Sequence, residues 1–423
     1  MPSRELLVER LGLDGEGIAT SQGRALFVAG AFPGERVRVQ LEPGGKALRG
    51  RLEAVLTPSA QRRTAPCPLA DRCGGCDWMQ LSPSAQVLRK EHLVLGALAR
   101  LGRIQPGTFS LIATAGTGTD TGTRRRAVLH KASNGLGYFG RRSHAVVPVG
   151  VCPALVPALA ALPGQLAREL KPLWPSLRAV HLLSAGASVS LALALDGPVR
   201  AQTREVAEAL VRSGVARGVA LLEPEGRVEE VGRAVLEESA PGWPSVRLRF
   251  RADGFAQTHA SGTELLVKRA LELLSPKAED SALELYAGNG TFTFALAAQV
   301  ASVVAVESSS LAVALGSAAG RAAKVANVRW VQGDAAKVCA GLAKEGARFD
   351  VLLADPPRTG APKLAELARA LGVRRVVYVG CDAGSLARDA GRLAEAGFRL
   401  ETVQLVDLFP NTHHIEALLG FRV

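Results

Sequence analysis

The spacing of hydrophobic and polar positions changes along the chain and divides it into three blocks. The first block, residues 1–58, holds short runs of β character separated by turn formers; the runs are LLVERLGL, ALFVAG, RVRVQLEP and GRLEAVLTP, and the turns are DGEG, PGE and EPGG. Several short strands at this spacing predict a small OB-like β-barrel. The surface of such a barrel commonly follows a nucleic-acid backbone.

The second block, residues 59–250, has a mixed pattern. It contains helical stretches, the strand-like run SVSLALAL and a basic run from Arg124 to Arg142. Because neither the helical nor the strand period dominates, the block is predicted to form a central α+β domain.

The third block, residues 251–423, alternates apolar β-branched runs with Ala-rich helical patterns. The runs are ALELY, ASVVAVE, VRWVQGD, FDVLLAD, RRVVYVG, FRLETVQLVD and IEALLGFRV. This alternation predicts a parallel sheet covered by helices on both faces. The connection between the last two runs is too short for a crossover helix, so they should pair antiparallel. A seven-stranded, Rossmann-like sheet of this kind resembles that of class I methyltransferases, which use S-adenosylmethionine.

Acidic residues end three successive strands of this predicted sheet. They are Glu307, Asp334 and Asp355, and the first strand leads into the glycine-containing turn of ELYAGNGTF. Ligands of such sheets sit outside the carboxyl ends of the strands, where carboxylates can hold ribose hydroxyls. The pattern predicts a nucleoside-shaped pocket, although each acid alone could also be a helix cap.

Two further side chains are predicted at the same edge. Cys381 follows a strand directly and precedes a helix, where helix-end dipoles favour a thiolate. Glu416 opens the final strand, and because that strand runs antiparallel, its beginning lies at the edge that holds Cys381. The alternatives are a buried structural cysteine and an exposed surface carboxylate.

The other cysteines form a second candidate site. Cys67, Cys73 and Cys76 lie in the loop APCPLADRCGGCDW, and Cys152 follows in VGVCP. Four thiolates in Gly/Pro-rich loops suit a structural zinc ion or an iron–sulfur cluster, and spacing does not separate the two. Cys339, in an apolar helical pattern, is predicted to be a core residue.

Charge and length narrow the class of protein. The chain has 423 residues and a net charge of +12, most of it in residues 1–150. A localised positive field is typical of nucleic-acid binding, although a solvated basic surface would have the same composition. No run of 18 apolar residues occurs, and charges occupy the segment MPSRELLVER. We therefore expect a cytoplasmic protein with no membrane partner.

With these motifs in place, the whole chain resembles the RNA uracil-C5-methyltransferase family, in particular the 23S rRNA 5-methyluridine type with a TRAM domain and an iron–sulfur cluster. LDGEGIA and ALFVAGAFPGERV resemble TRAM, while CPLADRCGGCDWMQLSPSAQVLRK and LGYFGRRSHAVVPVGVCP resemble the cluster segments. The catalytic-domain motifs follow in order as GFAQTHA, ELYAGNGTF, AVE, ADPPR, YVGCD and DLFPNTHHIE.

This resemblance implies a role for each candidate residue. It implies a 4Fe-4S cluster on Cys67, Cys73, Cys76 and Cys152, Cys381 as nucleophile, and Glu416 as base. It also implies contacts to S-adenosylmethionine from Gln257, Tyr286, Thr291, Glu307, Asp334 and Asp355. The implied substrate is a uridine of RNA, with ribosomal RNA as the leading expectation. The sequence gives no sign of an obligate protein partner, and we expect a monomer.

The chain departs from the family pattern near the predicted target site. Ala287 stands where many members have cysteine, Gly-Cys-Asp-Ala at 380–383 replaces Ser-Cys-Asn-Pro, and His259 replaces asparagine. These departures leave three alternatives open. The protein could be an inactive RNA-binding or folding factor, a uridine methyltransferase of transfer RNA, or a regulator that senses iron or redox state.

Overall fold

The N-terminal part of the chain forms a closed β-barrel. The computed structural model describes residues 3–42, 47–116 and 119–423. Five strands close the barrel in the order β1-β2-β3-β5-β4, with bounds β1 Ser3–Leu11, β2 Gly17–Ser21, β3 Arg24–Val28, β4 Arg36–Leu41 and β5 Leu48–Thr57. The sequence pattern predicted four of these strands; β2 is short and follows the DGEG turn, which hid its alternation. The turn predicted at EPGG lies mostly outside the described residues.

The central part of the chain forms a seven-stranded sheet with the order β13-β12-β11-β10-β7-β8-β9. Its strands are β7 Arg126–Ala132, β8 Gly135–Phe139, β9 Val146–Pro148, β10 Leu177–Ala185, β11 Ser188–Leu195, β12 Gly218–Leu222 and β13 Val228–Gly232. The helices α2 Pro157–Ala160, α3 Leu162–Glu169 and α4 Ala201–Arg212 pack against it, and a leucine-rich core lies between. The hairpin of β14 Leu236–Ala240 and β15 Trp243–Phe250 leads to the C-terminal part.

The C-terminal part is a helix-covered sheet. Its strands are β16 Ser281–Leu285, β17 Ser302–Glu307, β18 Val328–Gln332, β19 Val351–Ala354, β20 Arg375–Gly380, β21 Arg399–Asp407 and β22 Glu416–Arg422. Its helices are α5 Ala260–Leu274, α6 Thr293–Ala297, α7 Ser310–Ala322, α8 Ala335–Lys344, α9 Leu364–Ala370 and α10 Ala383–Glu395. Strand β22 runs antiparallel to both β20 and β21, as the short connection before it predicted.

The sheet has eight strands, one more than the sequence predicted. Its order is β18-β17-β16-β19-β20-β22-β21-β6, and the added strand β6 (Ser110–Gly116) pairs parallel with β21. Helix α1 (Pro83–Arg100), just before β6, packs on the same core as α10. A strand pattern carries no mark of its pairing partner, so β6 and α1 were assigned by position to the central block.

Two apolar cores cover the faces of this sheet and fix the positions of its strand ends. One contains Val94, Leu98 and Tyr378, and the other contains Leu266 and Val379. No helix of the described residues is long and apolar enough to cross a membrane. Because five strands run parallel from β18 to β20, their carboxyl ends meet along one edge, where the predicted site lies.

Candidate active site

The turn after β16 exposes its backbone at the carboxyl edge of the sheet. Tyr286, Gly288 and Gly290 all have positive φ, at 62°, 57° and 102°. A Cβ on Gly290 would lie 2.6 Å from the ring of Phe294, so this position requires glycine. A turn of this kind brings backbone N–H groups close to a ligand, which a nucleoside pocket requires.

The three predicted strand-end acids have different environments. Glu307 accepts hydrogen bonds from the N–H of Gly288 at 2.9 Å and the N–H of Ser309 at 2.7 Å. Asp334 caps α8 by accepting from the N–H of Lys337 at 3.0 Å, so the helix-cap interpretation applies to it. Glu307 bridges the glycine turn to the start of α7, and both carboxylates remain at the edge of the glycine turn.

Asp355 and Gln257 meet at the same edge. Gln257 Nε2 donates to Asp355 Oδ2 at 3.2 Å, and desolvation raises the pKa of Asp355 to about 7. Arg125, buried at the start of the central sheet, donates from Nε to the Gln257 carbonyl at 2.8 Å. The segment GFAQTHA is therefore held in place from both the central and the C-terminal sheets.

Cys381 and Glu416 lie side by side at the ends of neighbouring strands. Gly380 of β20 pairs with Ala417 of β22, and each predicted catalytic residue is the next one toward the carboxyl edge. Burial raises the pKa of Cys381 to about 12, with the carboxyls of Glu416 and Asp355 adding to the effect. Burial, and then Asp355, likewise raises the pKa of Glu416 well above its usual range.

The raised pKa of Cys381 differs from the sequence expectation. The helix-end position after β20 predicted a thiolate, but desolvation outweighs the helix dipole here. The described structure thus holds Cys381 as a neutral thiol. A positive charge brought close to it would be needed to form the thiolate.

Arg358 was not singled out by the sequence analysis. It follows the ADPP segment after β19, and its guanidinium lies beside Cys381, where it lowers the pKa of the thiol. It also lowers the pKa of Glu416. The position of ADPPR directly after the fourth strand was the available signal, because strand ends of this sheet point into the site.

Several buried polar atoms at this edge have no partner among the described residues. Both oxygens of Glu284, Oδ1 of Asn289 and Oε2 of Glu416 are unpaired. Buried polar groups usually find partners, so these atoms mark places where a ligand or water would complete the site. With the glycine turn and the strand-end acids, they fit a nucleoside cofactor such as S-adenosylmethionine. Tyr286 is half-buried and Thr291 is buried on either side of this turn.

The four predicted ligand cysteines line one cavity. Cys67, Cys73, Cys76 and Cys152 share it with Tyr138, whose hydroxyl lies 4.0 Å from Cys152 Sγ. Within the described ranges, no group of three or more His, Cys, Asp or Glu side chains is arranged to hold a metal ion. The donor set of four free thiols suits a cluster of larger size than one ion. Cys339 is fully buried in the core, as predicted.

The departures from the family pattern keep local structure. His259 accepts from the N–H of Gly262 through Nδ1 at 3.2 Å and so caps α5. Asp382 caps α10 by accepting from the N–H of Ser385 at 2.7 Å. Ala287 is buried at the glycine turn. The replaced residues therefore preserve both helix starts that border the site.

The loop between β21 and β22 is held by residues from the N-terminal half. Asn411 is fully buried, with φ at 66°, and its carbonyl accepts from the N–H groups of Asp77 and Trp78. Its N–H donates to Gln86 Oε1 at 2.6 Å. Lys90, also fully buried, donates to Asp407 at 2.7 Å. This loop ends at Glu416, so the cysteine segment and α1 fix the approach to the predicted base.

Comparisons with known proteins agree with this geometry. A family model described as tRNA (Uracil-5-)-methyltransferase matches residues 242–421. The 23S rRNA (uracil(1939)-C(5))-methyltransferase RlmD of Pseudomonas entomophila (strain L48) is 33% identical over 99% of this chain and 93% of that protein. RlmD of Pseudomonas aeruginosa (strain UCBPP-PA14) is 33% identical over 99% of this chain and 94% of its own length.

A solved structure shares the fold of the whole chain. The Pyrococcus abyssi tRNA (uracil-54, C5)-methyltransferase, in complex with S-adenosyl-L-homocysteine, superposes with a TM-score of 0.74. The two sequences are 19% identical, and the match covers 99% of this chain and 100% of that chain. Fold and site thus define an S-adenosylmethionine-dependent methyltransferase. The full-length relatives make the assignment more specific, and the chain belongs to the RNA uracil-C5-methyltransferase family.

Proposed function

We propose that the protein transfers a methyl group from S-adenosylmethionine to C5 of a uridine in ribosomal RNA through a covalent adduct at C6. The observation that carries this proposal is the placement of Cys381 beside Glu416 at the edge of the sheet that ends in Asp355. A nucleophile and a carboxylate on the two sides of one pyrimidine are what this reaction needs.

The roles follow from the chemistry of uracil. C5 is a poor nucleophile, so the thiolate of Cys381 adds to C6 and the electron pair of the C5–C6 double bond moves toward O4 as an enolate. The enolate carbon C5 then takes the methyl group, which S-adenosylmethionine supplies on a positively charged sulfonium. Glu416 removes the remaining C5 proton, the double bond re-forms, and the C6–S bond breaks to release the thiolate.

The electrostatics of the site support this order. Cys381 is a thiol in the described structure because burial raises its pKa to about 12. Arg358 is the neighbouring cation that opposes this rise for both Cys381 and Glu416. A carboxylate with a raised pKa is a stronger base once ionised, which suits removal of a carbon-bound proton. We assign Gln257, Tyr286, Thr291, Glu307, Asp334 and Asp355 to the cofactor side of the pocket.

The test uses S-adenosylmethionine tritiated in its methyl group and unmodified 23S rRNA. We expect label at C5 of one uridine with the wild-type protein and no label with Cys381→Ala. Cys339→Ala is the matched control, because Cys339 is buried in the core away from this edge. Undiminished labelling by Cys381→Ala would overturn the covalent mechanism.

Ribosomal RNA is favoured as substrate by the full-length relatives, which are named for 23S rRNA. The transfer-RNA enzyme that shares the fold is only 19% identical and supports the fold alone. The inactive-factor alternative rested on the altered 380–383 segment, yet Asp382 still caps the helix that follows Cys381. Mapping 5-methyluridine in total RNA of a deletion strain would identify the modified nucleotide.

We also propose that Cys67, Cys73, Cys76 and Cys152 hold a 4Fe-4S cluster. Their shared cavity and the family resemblance of both segments support it. Such a cluster would cross-link the cysteine loop to the segment after β9, which gives it a structural role. Protein prepared without oxygen should be brown and contain iron with acid-labile sulfide, whereas colourless protein with zinc alone would refute the assignment.

The proposed domain division follows from these sites. Residues 1–58 form an RNA-binding barrel of TRAM type, residues 59–250 the central domain with the cysteine loop, and residues 251–423 the catalytic domain. The central unit lends α1 and β6 to the catalytic sheet. A ribosomal RNA substrate places the protein in the cytoplasm, and we propose that it acts as a monomer.

A further inference from the structure

A wide cleft separates the barrel from the catalytic sheet. Its walls include the barrel loop at Gly15, the cysteine loop at Gly74, the end of β8 at Phe139, and the loop before Glu416 at His413. Arg358, the cation beside Cys381, lines the same cleft. The cleft is thus a continuous path that leads from the central sheet to the proposed catalytic pair.

The charge of this cleft suits a polyanion. Arg142 is paired with Asp14 and Glu16. Three other guanidinium groups, those of Arg124, Arg126 and Arg358, line the cleft without an ion pair to any carboxylate of the described residues. Unpaired arginines facing one cleft attract phosphate groups.

An exposed aromatic ring stands on one wall. Phe139 is 38% exposed, and its ring is stacked on that of His130 with centroids 4.0 Å apart and planes 23° apart. His144 meets the ring edge-on at 5.7 Å. Burial lowers the pKa of His130, so the ring behind Phe139 is a neutral aromatic surface. Among the large hydrophobic side chains exposed in the described ranges, only Phe139 and Phe255 are aromatic.

The backbone under Phe139 is fixed to the cysteine loop. The Phe139 carbonyl accepts from the N–H of Gly74 at 2.9 Å, and Gly140 forms a β-bridge with Cys73. A ring that is exposed, backed by another ring and mounted on a fixed backbone is pre-organised to stack against a flat ligand. In single-stranded nucleic acid, unpaired bases are such ligands, and their phosphates need cations nearby.

We infer that the His130–Phe139 pair is a stacking platform for one unpaired RNA base that flanks the target uridine, with the unpaired arginines of the cleft facing its backbone. The inference rests on the proposed RNA methylation at Cys381. The platform lies on the central sheet and Cys381 on the catalytic sheet, so one base does not occupy both places. The platform reads the shape of the strand beside the flipped base rather than the target itself.

The test measures dissociation constants for an RNA fragment that carries the uridine found by mapping, using Phe139→Ala, Phe139→Leu and Phe139→Trp. Loss of stacking should weaken binding by Ala and Leu ~5- to 150-fold, while Trp stays near wild type. Leucine keeps apolar bulk without a flat ring, so it separates stacking from packing. Val228→Ala, an exposed hydrophobic residue outside the cleft lining, is the matched control.

A second arm locates the base. Copies of the fragment each lack one base beside the uridine, and wild type and Phe139→Ala should bind equally to one of these copies only. Wild-type affinity of Phe139→Leu, or an Ala defect of equal size with every copy, would overturn the platform. Methylation at saturating RNA should persist in all three variants, whereas loss of labelling by the wild-type protein would instead refute the proposed function.

Discussion

At the scale of single residues, the site is defined by carboxyl groups that are buried without full pairing. Glu416 is 4% exposed, and its Oε2 has no partner among the described residues. Leaving such a group unpaired costs stability, so the fold keeps it there against a penalty. That cost is explained if Glu416 receives a proton during the reaction.

The role of Glu416 predicts a trapped intermediate. In Glu416→Gln the amide cannot take the C5 proton, so the methylated base should stay bound to Cys381. We expect a protein–RNA complex that survives denaturant and gel electrophoresis, together with a ~100-fold or larger loss of turnover. Glu279→Gln, at an exposed carboxylate, is the control. Normal turnover without an adduct would assign the proton transfer to another group.

Glu284 predicts a pH dependence of stability. Burial raises its pKa from 4.5 to about 8, and both of its oxygens are unpaired. The folded state therefore keeps a proton that the unfolded state releases, and stability falls as pH rises through this window. At about 1.4 kcal/mol per pKa unit, the fall approaches ~5 kcal/mol.

Glu284→Gln removes this titration. Its melting temperature should fall less between pH 5 and pH 8 than that of the wild type, so the variant gains relative stability at the higher pH. The exposed Glu279→Gln should follow the wild-type curve. A Glu284→Gln curve parallel to the wild type would show that Glu284 is ionised in the folded protein.

At the scale of elements, the sequence was most informative where a strand ends in a functional residue. The seven strands from β16 to β22 were predicted from apolar runs, and Cys381 and Glu416 were placed at one edge by strand direction alone. Strand β6 and the role of α1 were not predictable, because pairing between distant segments leaves no periodic signal. Arg358 was missed because its function depends on which side chains surround it.

The loop before Glu416 depends on the hydrogen bonds of Asn411. Asn411→Ala would leave Gln86, Arg63 and the Asp120 carbonyl without a buried partner. Each such loss costs about 1–3 kcal/mol, so we expect a drop in melting temperature of ~5–10 °C. Asn134→Ala, at an exposed turn, is the control.

The same variant separates a positioning role from a purely structural one. If the loop positions Glu416, Asn411→Ala should slow adduct release more than adduct formation, and some covalent complex should accumulate as in Glu416→Gln. A variant that loses stability while both steps keep their ratio would limit Asn411 to holding the fold.

At the scale of the whole molecule, the cysteine loop is the junction between the barrel, the central sheet and the catalytic sheet. Arg141 donates to the carbonyls of Ala70, Cys76 and Asp77, which ties the loop to the strand that carries Phe139. Asp77 in turn accepts from the ring of His413 in the loop before Glu416. A change in the cysteine loop therefore reaches the RNA cleft and the proposed base together.

This junction predicts the effect of removing a cluster ligand. Cys152→Ser should lower the iron content and the melting temperature, and it should weaken RNA binding ~10-fold or more because Phe139 and the loop before Glu416 lose their common support. Affinity for S-adenosylhomocysteine should change little, since the glycine turn and Glu307 lie within the catalytic sheet. Cys339→Ala controls for loss of a thiol. An iron-free Cys152→Ser protein with unchanged melting temperature and RNA affinity would show that the cysteine loop holds its shape without a cluster, and the coupling between the three parts would then rest on the hydrogen bonds alone.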